Sequence, residues 1–128
     1  MRLLLDTHVL FWWLTDDPRL SASARRAIEE NEEETFVSIA TALEIAIKVG
    51  AGKWPEAAVL IDNLEDEVAA EGFKMLPISV AHARAAGLST SQHRDPFDRI
   101  LTAQASLDNL ALVTADTALG GEGVTRIW

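Results

Sequence analysis

Short apolar runs alternate along this chain with longer segments whose apolar residues recur at helical spacing. The runs that predict β-strands cover residues 2–5, 35–38, 74–78 and 111–114, with an edge strand at 124–127. Predicted helices follow Asp6, the Ser21 cap, Ser38, Pro55, Ser79 and Asp95. Because parallel strands need crossover connections, this alternation predicts an α/β fold with a parallel sheet of four or five strands and helices on both faces.

The segment between Pro55 and Gly72 has a helical pattern of apolar residues. Its apolar residues Val59, Leu60, Leu64 and Val68 form one stripe. The sequence therefore predicts a single helix here with a continuous buried face.

The length of 128 residues fits one domain, residues 1–128, which can bury about two thirds of its unfolded surface in one core. No apolar run approaches the roughly 20 residues of a membrane span, and the N-terminal run has no signal-peptide cleavage site. The absence of cysteine excludes disulfides, thiolate catalysis and zinc–thiolate sites. We therefore expect a cytoplasmic domain in which hard, oxygen-binding metals remain available as cofactors.

The net charge of −9, from 11 basic and 20 acidic residues, is opposite to that of an autonomous nucleic-acid binder. Part of this charge lies in the acidic run at residues 29–34, which is typical of a solvated helix end and turn. Two bound divalent ions would add four compensating charges. Four basic residues lie close in sequence to acidic residues that are candidate metal ligands, and they could form a short basic rim around a site: Lys48, Lys53, Arg94 and Arg99.

Four carboxylates lie at positions that a β/α fold would bring together near the carboxyl edge of its sheet: Asp6, Glu44, Asp98 and Asp116. Asp6 and Asp116 end predicted strands, whereas Glu44 and Asp98 lie near the starts of helices that could pack beside those ends. Converging carboxylates are best tolerated around Mg²⁺ or Mn²⁺, which take oxygen ligands. One such ion permits metal-assisted hydrolysis, and two about 3.5 to 4 Å apart can activate a water and stabilise a phosphodiester leaving group.

Four segments together resemble a known family: LLLDTH at residues 3–8, residues 38–48 ending in EIAIK, HRDPFDR at 93–99 and VTAD at 113–116. Their order and spacing, over nearly the whole chain, resemble the PIN-domain ribonuclease toxins of the VapC type, which belong to type II toxin–antitoxin systems. The resemblance implies a PIN-like domain with Mg²⁺-dependent endoribonuclease activity. It also implies a cognate antitoxin whose tail occludes the acidic pocket, and a homodimer.

The resemblance assigns catalytic and metal-ligand roles to Asp6, Glu44, Asp98 and Asp116, with Asp116 acting through water. Three of these acids have plainer alternatives, which can coexist with metal binding. Asp6 could cap the following helix, Glu44 could pair with Lys48 four residues on, and Asp116 could stabilise a turn.

The start of the last helix is the most ambiguous of the four segments. Asp95 fits an N-cap, Pro96 the first helical position and Asp98 the acidic first turn. We interpret Asp98 as the ligand and Asp95 as a supporting cap. His93 and Arg94, just before this helix, could meet substrate phosphates.

Several residues beside these acids could have either a structural or a functional role. The hydroxyls of Thr7, Ser38 and Thr114 could orient carboxylates or bound water, although capping is their commoner use. His8 is interpreted as a packing residue rather than a general base, because a metal-activated water needs no such base. The pair Trp12 and Trp13 is assigned to the core and a dimer surface, yet an aromatic ring near the pocket could stack on an unpaired base.

Two other functions stay open. An aspartyl phosphatase attacks through an Asp after its first strand, but it needs a second acid two residues later, where His8 stands. A catalytically silent PIN-like interaction domain would instead receive an arginine-bearing partner segment in the acidic pocket. The sequence does not reveal which RNA is cut or how many ions bind.

Overall fold

The sheet is entirely parallel in the computed structural model, which describes residues 1–90, 95–119, 121 and 123–128. Its strand order is β3-β2-β1-β4-β5. The strands are β1 (Leu3–Leu5), β2 (Thr35–Ser38), β3 (Lys74–Leu76), β4 (Ala111–Val113) and β5 (Arg126–Ile127). Each lies within two residues of its predicted bounds, and the predicted parallel sheet is confirmed.

Helices connect the strands in the order that the sequence predicts. They are α1 (Thr7–Leu14), α2 (Ala22–Glu30), α3 (Ile39–Gly50), α4 (Ala58–Asp62), α5 (Leu64–Ala70), α6 (Val80–Leu88) and α7 (Pro96–Leu107). Short 3-10 turns lie at Glu32–Glu34 and Pro55–Ala57. Within the described part of the chain, none of these helices has both the length and the apolar content needed to cross a bilayer.

Both faces of the sheet are covered, as predicted. Successive strand residues point to opposite faces, and Leu3 and Leu5 of β1 pack into the larger core beneath α1 to α5. Leu4 and Leu112 belong to a second core, in which Leu101 of α7 is completely buried. Strands β1 and β4 are therefore apolar at every position, which is the pattern expected of strands buried on both faces.

The predicted single helix over residues 55–72 is wrong, because Asn63 separates α4 from α5. Asn63 has φ −127° and ψ 20°, outside the helical region. Its side-chain amide donates a hydrogen bond to the carbonyl oxygen of Val59 at 3.0 Å, which competes with continuation of the helical backbone bonds.

The break changes which residues of this segment are buried. Leu60, Leu64 and Val68 lie in the core as the stripe predicts, but Val59 is 74% exposed. The helical stripe therefore predicts three of its four core positions correctly.

The strand order places a topological switch point between β1 and β4. From β1 the chain moves outward through β2 to β3, and then returns to the opposite side of β1 to form β4 and β5. Connections leave β1 and β4 in opposite directions, so a crevice opens at their carboxyl ends, where open parallel sheets bind ligands. Asp6 follows β1 directly at this edge.

Candidate active site

A cleft of about 520 Å³ lies at this carboxyl edge, and the acids predicted from the sequence line it together: Asp6, Glu44, Asp98 and Asp116, with Asp95 beside them. They come from the end of β1, from α3, from the first turn of α7 and from the turn after β4. Residues up to 110 positions apart in the chain therefore share one cavity. Their roles as metal ligands stay a prediction.

Asp6 is held at the switch point by bonds to both its carboxylate oxygens. One oxygen accepts from the backbone N–H of Thr7 at 2.7 Å, which caps α1, and the other from the hydroxyl of Thr114 at 2.7 Å. Burial raises the pKa of Asp6, and the charge of Glu44 raises it further, against the lowering effect of these two hydrogen bonds. An ionised Asp6 is therefore costly here without a nearby cation.

Glu44 is 6% exposed and also has both oxygens engaged. The Thr7 hydroxyl donates to one oxygen at 2.7 Å, and the Lys48 ammonium donates to the other at 2.6 Å. The Glu44–Lys48 pair, which was the plainer sequence interpretation of Glu44, is therefore present in the fold. Thr7 and Thr114 orient the two most buried acids, whereas Ser38 caps α3 through the backbone N–H of Ala40.

Asp95 is the N-cap of α7, as the sequence predicts. Its carboxylate accepts from the backbone N–H groups of Phe97 at 2.8 Å and Asp98 at 3.4 Å. Asp98 lies half-buried in the first turn of the same helix. The cap fixes the backbone that presents Asp98 to the cleft.

Asp116 lies in an exposed turn after β4 and is tied to the same network. Its backbone N–H donates to the Thr114 hydroxyl oxygen at 3.0 Å, and its carboxylate accepts from the backbone N–H of Ala118 at 2.9 Å. Asp116 therefore stabilises this turn, which was the alternative interpretation of Asp116 from the sequence. Thr114 couples the position of Asp116 to that of Asp6.

The cationic side of the cleft differs from the predicted rim. Lys48 lines the cleft as proposed, and Arg19 joins it. Arg99 instead donates to the carbonyl oxygens of Gly87 and Ser89, so it fastens the end of α6 to α7. Arg94 and His93 lie outside the described residues. The sequence analysis missed Arg19, because no strand end or helix start marks it as part of the site.

Aromatic rings form another wall of this region. His8 lines the cleft and stacks on Trp54, with ring centroids 5.0 Å apart and an angle of 26° between the planes. Trp54 also lies 5.9 Å from the Lys48 ammonium. His8 therefore has the packing role interpreted from the sequence, while Trp12 contributes to the cleft lining itself.

A family model of the PIN domain matches residues 3–120. The chain belongs to the PIN-domain family. Ribonuclease VapC22 of Mycobacterium tuberculosis is 30% identical over 127 residues, which cover 91% of this chain and 88% of that protein.

Solved structures agree with this fold. A toxin–antitoxin complex from Klebsiella pneumoniae contains a chain with 27% identity and a TM-score of 0.64, covering 96% of this PIN domain and 95% of that chain. A chain of DNA-bound VapBC from Salmonella typhimurium has a TM-score of 0.70 at 15% identity, covering 98% and 96% of the two chains. The second likeness supports the fold alone.

The donor set of this PIN domain fits a hard divalent ion, although the site is not preassembled. Among the described residues, no three His, Cys, Asp or Glu side chains are arranged to hold a metal ion. Each carboxylate offers about four lone-pair sites, so Asp6 and Glu44 keep capacity beyond their present hydrogen bonds. Mg²⁺ usually retains several waters and needs only one or two direct carboxylates. The carboxylate oxygens of the cleft therefore suit an ion that is bound partly through water.

Proposed function

We propose that this PIN domain is a metal-dependent endoribonuclease and the toxin of a toxin–antitoxin pair. The observation that carries the proposal is the convergence of Asp6, Glu44, Asp98 and Asp116 on one cleft at the switch point of a parallel sheet. The 30% identity to Ribonuclease VapC22 supports the choice of RNA as substrate. The domain would span residues 1–128.

In this proposal Asp6, Glu44, Asp98 and Asp116 would hold Mg²⁺, or Mn²⁺ in its place, with Asp116 acting through water. When bound, such an ion activates water for attack on a phosphodiester and stabilises charge on the phosphoryl oxygens. Thr7 and Thr114 keep the two buried carboxylates in fixed orientations. Lys48 pairs with Glu44 at 2.6 Å and also lines the cleft, so its ammonium would supply positive charge where the phosphate of a substrate would lie.

A cognate antitoxin and a homodimer belong to the same proposal. The similar chain from Klebsiella pneumoniae comes from a toxin–antitoxin complex. On this protein, Ile39, Leu43 and Ile47 lie four residues apart along α3 and are 42%, 53% and 52% exposed. An exposed apolar stripe of this kind is typical of a protein-binding surface.

The catalytically silent interaction domain is the second candidate. The observation in its favour is that hydroxyl, backbone and ammonium groups of the chain already donate to all four carboxylate oxygens of Asp6 and Glu44. An inactive acidic pocket could then receive a basic partner segment. Catalysis is the property that separates the two candidates.

The deciding experiment is cleavage of single-stranded RNA by the purified protein. We expect fragments with Mg²⁺ or Mn²⁺ and none with a chelator in excess. Intact RNA under every metal condition, together with tight binding of an arginine-containing peptide, would favour the interaction domain.

A further inference from the structure

Trp12 and Arg19 form a rigid pair at the edge of the acidic cleft that the proposed chemistry does not use. Both side chains line the cleft. The guanidinium carbon of Arg19 lies over the Trp12 ring, 5.3 Å from its centroid. Such a contact stabilises a cation on an aromatic face.

Asp17 fixes the guanidinium group in this position. Its carboxylate accepts from Arg19 Nε at 3.1 Å and from Nη2 at 2.8 Å, and it also accepts from the Arg19 backbone N–H at 2.8 Å. The backbone N–H of Asp17 in turn donates to the carbonyl oxygen of Trp12 at 2.8 Å. The loop after α1 therefore returns to that helix and holds the charged group in place. This arrangement reduces the conformational entropy that binding would otherwise cost.

The Trp12 ring is also held in place by its neighbours. It is half-buried against the larger core, and its ring lies 5.9 Å from the rings of both His8 and Trp128. The Arg19 side chain is 67% exposed above it. The pair therefore presents an accessible surface that combines a flat ring with a guanidinium plane held by Asp17.

The chemistry of this surface selects its ligand. Unpaired bases stack on aromatic rings and on guanidinium planes, and the same guanidinium attracts the phosphate of the nucleotide. An arginine-bearing peptide segment would also be drawn to the acids in the cleft, but its guanidinium gains least where the Arg19 guanidinium already covers the Trp12 ring. An unpaired base can stack on both the ring and the guanidinium plane, so this surface favours a nucleotide over a basic peptide.

We propose that Trp12 and Arg19 form a subsite that holds one unpaired nucleotide of the RNA beside the acidic cleft. The base stacks on the Trp12–Arg19 pair, and Arg19 contacts the adjoining phosphate. This inference rests on the proposed ribonuclease function and extends it to the substrate class. A base inside a duplex cannot reach this surface, so the subsite selects single-stranded RNA.

The test measures the affinity of the protein for a fluorescently labelled single-stranded RNA by anisotropy, with Ca²⁺ in place of Mg²⁺ and gel analysis to verify that the probe stays intact. We expect Arg19→Gln and Trp12→Leu each to weaken binding by about tenfold, in line with base-stacking contributions. Arg19→Gln should also lower the slope of log affinity against log salt by about 0.7, the value for one lost phosphate contact. Trp12→Phe should keep most of the affinity, because it keeps an aromatic ring.

The chain offers matched controls for both positions. Arg25 forms an ion pair with Asp16 at 3.0 Å, in the same region but not in the cleft lining, so Arg25→Gln should leave affinity unchanged. Trp13 packs against Phe73, and we expect Trp13→Phe to leave the affinity for RNA unchanged as well. Melting temperatures of all variants separate loss of binding from loss of folding. If Trp12→Leu destabilises the protein, Arg19→Gln still tests the subsite, because the exposed Arg19 side chain contributes little to folding.

An RNA series with single abasic positions tests the stacking directly. One abasic position should weaken wild-type binding and abolish the further effect of Trp12→Leu, because the stacked base is already missing. If the wild type binds RNA and both subsite variants bind equally well, the subsite is overturned while the ribonuclease proposal stands. If the wild type neither binds nor cleaves RNA, both proposals fail. If the variants lose affinity only for an arginine-containing peptide, the surface belongs to a protein partner and the inference is overturned.

Discussion

Replacing Asp98 with asparagine is expected to reduce metal-dependent RNA cleavage by about a hundredfold or more, the range typical of removing one charged group from a metal-dependent site. Asparagine keeps the size and shape of the side chain in the first turn of α7, but it removes the charge that faces the cleft. Initial rates of RNA cleavage at saturating Mg²⁺ measure the effect.

Asp95 provides a matched control three residues earlier. Asparagine caps helices about as well as aspartate, so Asp95→Asn should keep the hydrogen bonds to Phe97 and Asp98 and therefore the helix start. We expect this variant to retain most activity, because Asp95 acts as a cap. Asp98→Asn cleaving RNA at the wild-type rate would reject the assigned site.

Truncating Leu101 to alanine is expected to lower the free energy of unfolding by about 2 to 5 kcal/mol, the usual cost of such a cavity in a packed core. Leu101 is completely buried in α7, where it packs with the core around Leu4 and Leu112. Because the same helix carries Asp98, the cavity also loosens one wall of the cleft. Urea denaturation followed by circular dichroism measures the loss.

Leu107 lies on the same helix but is 53% exposed. Leu107→Ala removes the same atoms from a solvated position, so the free energy of unfolding should change by only about 0.5 kcal/mol. Equal losses in the Leu101 and Leu107 variants would contradict the position of α7 against the sheet.

The sheet could be predicted because its signals are local and mutually consistent. Fully apolar runs such as Leu3–Leu5 are typical of strands buried on both faces, and helical segments between them require parallel crossovers. Once the sheet is parallel, residues that directly follow its strands lie at one edge. Asp6 and Asp116 could therefore be placed in one cleft without a structure, and Asp95 could be assigned as a cap from its position before Pro96.

The break at Asn63 could not be predicted from periodicity. The apolar stripe continues across it, and the competing bond from the Asn63 amide to the Val59 carbonyl depends on local backbone geometry. Arg19 was missed for a related reason. Its place in the cleft depends on the path of the loop after α1 and on Asp17, contacts that hydrophobic patterning does not encode.

The partners of the carboxylates could be named from the sequence only as alternatives to commoner roles. Four converging acids predict mutual repulsion that a cation must relieve, but in the fold Thr7, Thr114 and Lys48 share that role. These partners come from segments far from the acids that they contact or, for Lys48, from the next helical turn. A metal ion would therefore bind carboxylates that the chain already holds in place.

Isothermal titration of Mn²⁺ into the wild-type protein and into Asp6→Asn tests most directly whether the carboxylates gather around a shared ion. We expect saturable binding by the wild type near neutral pH and its loss in the variant. Because burial raises the pKa of Asp6, protons should compete at a higher pH than for an ordinary aspartate, so affinity should fall as the solution is acidified. Indistinguishable titrations of the two proteins, or no heat of binding from the wild type, would contradict the account.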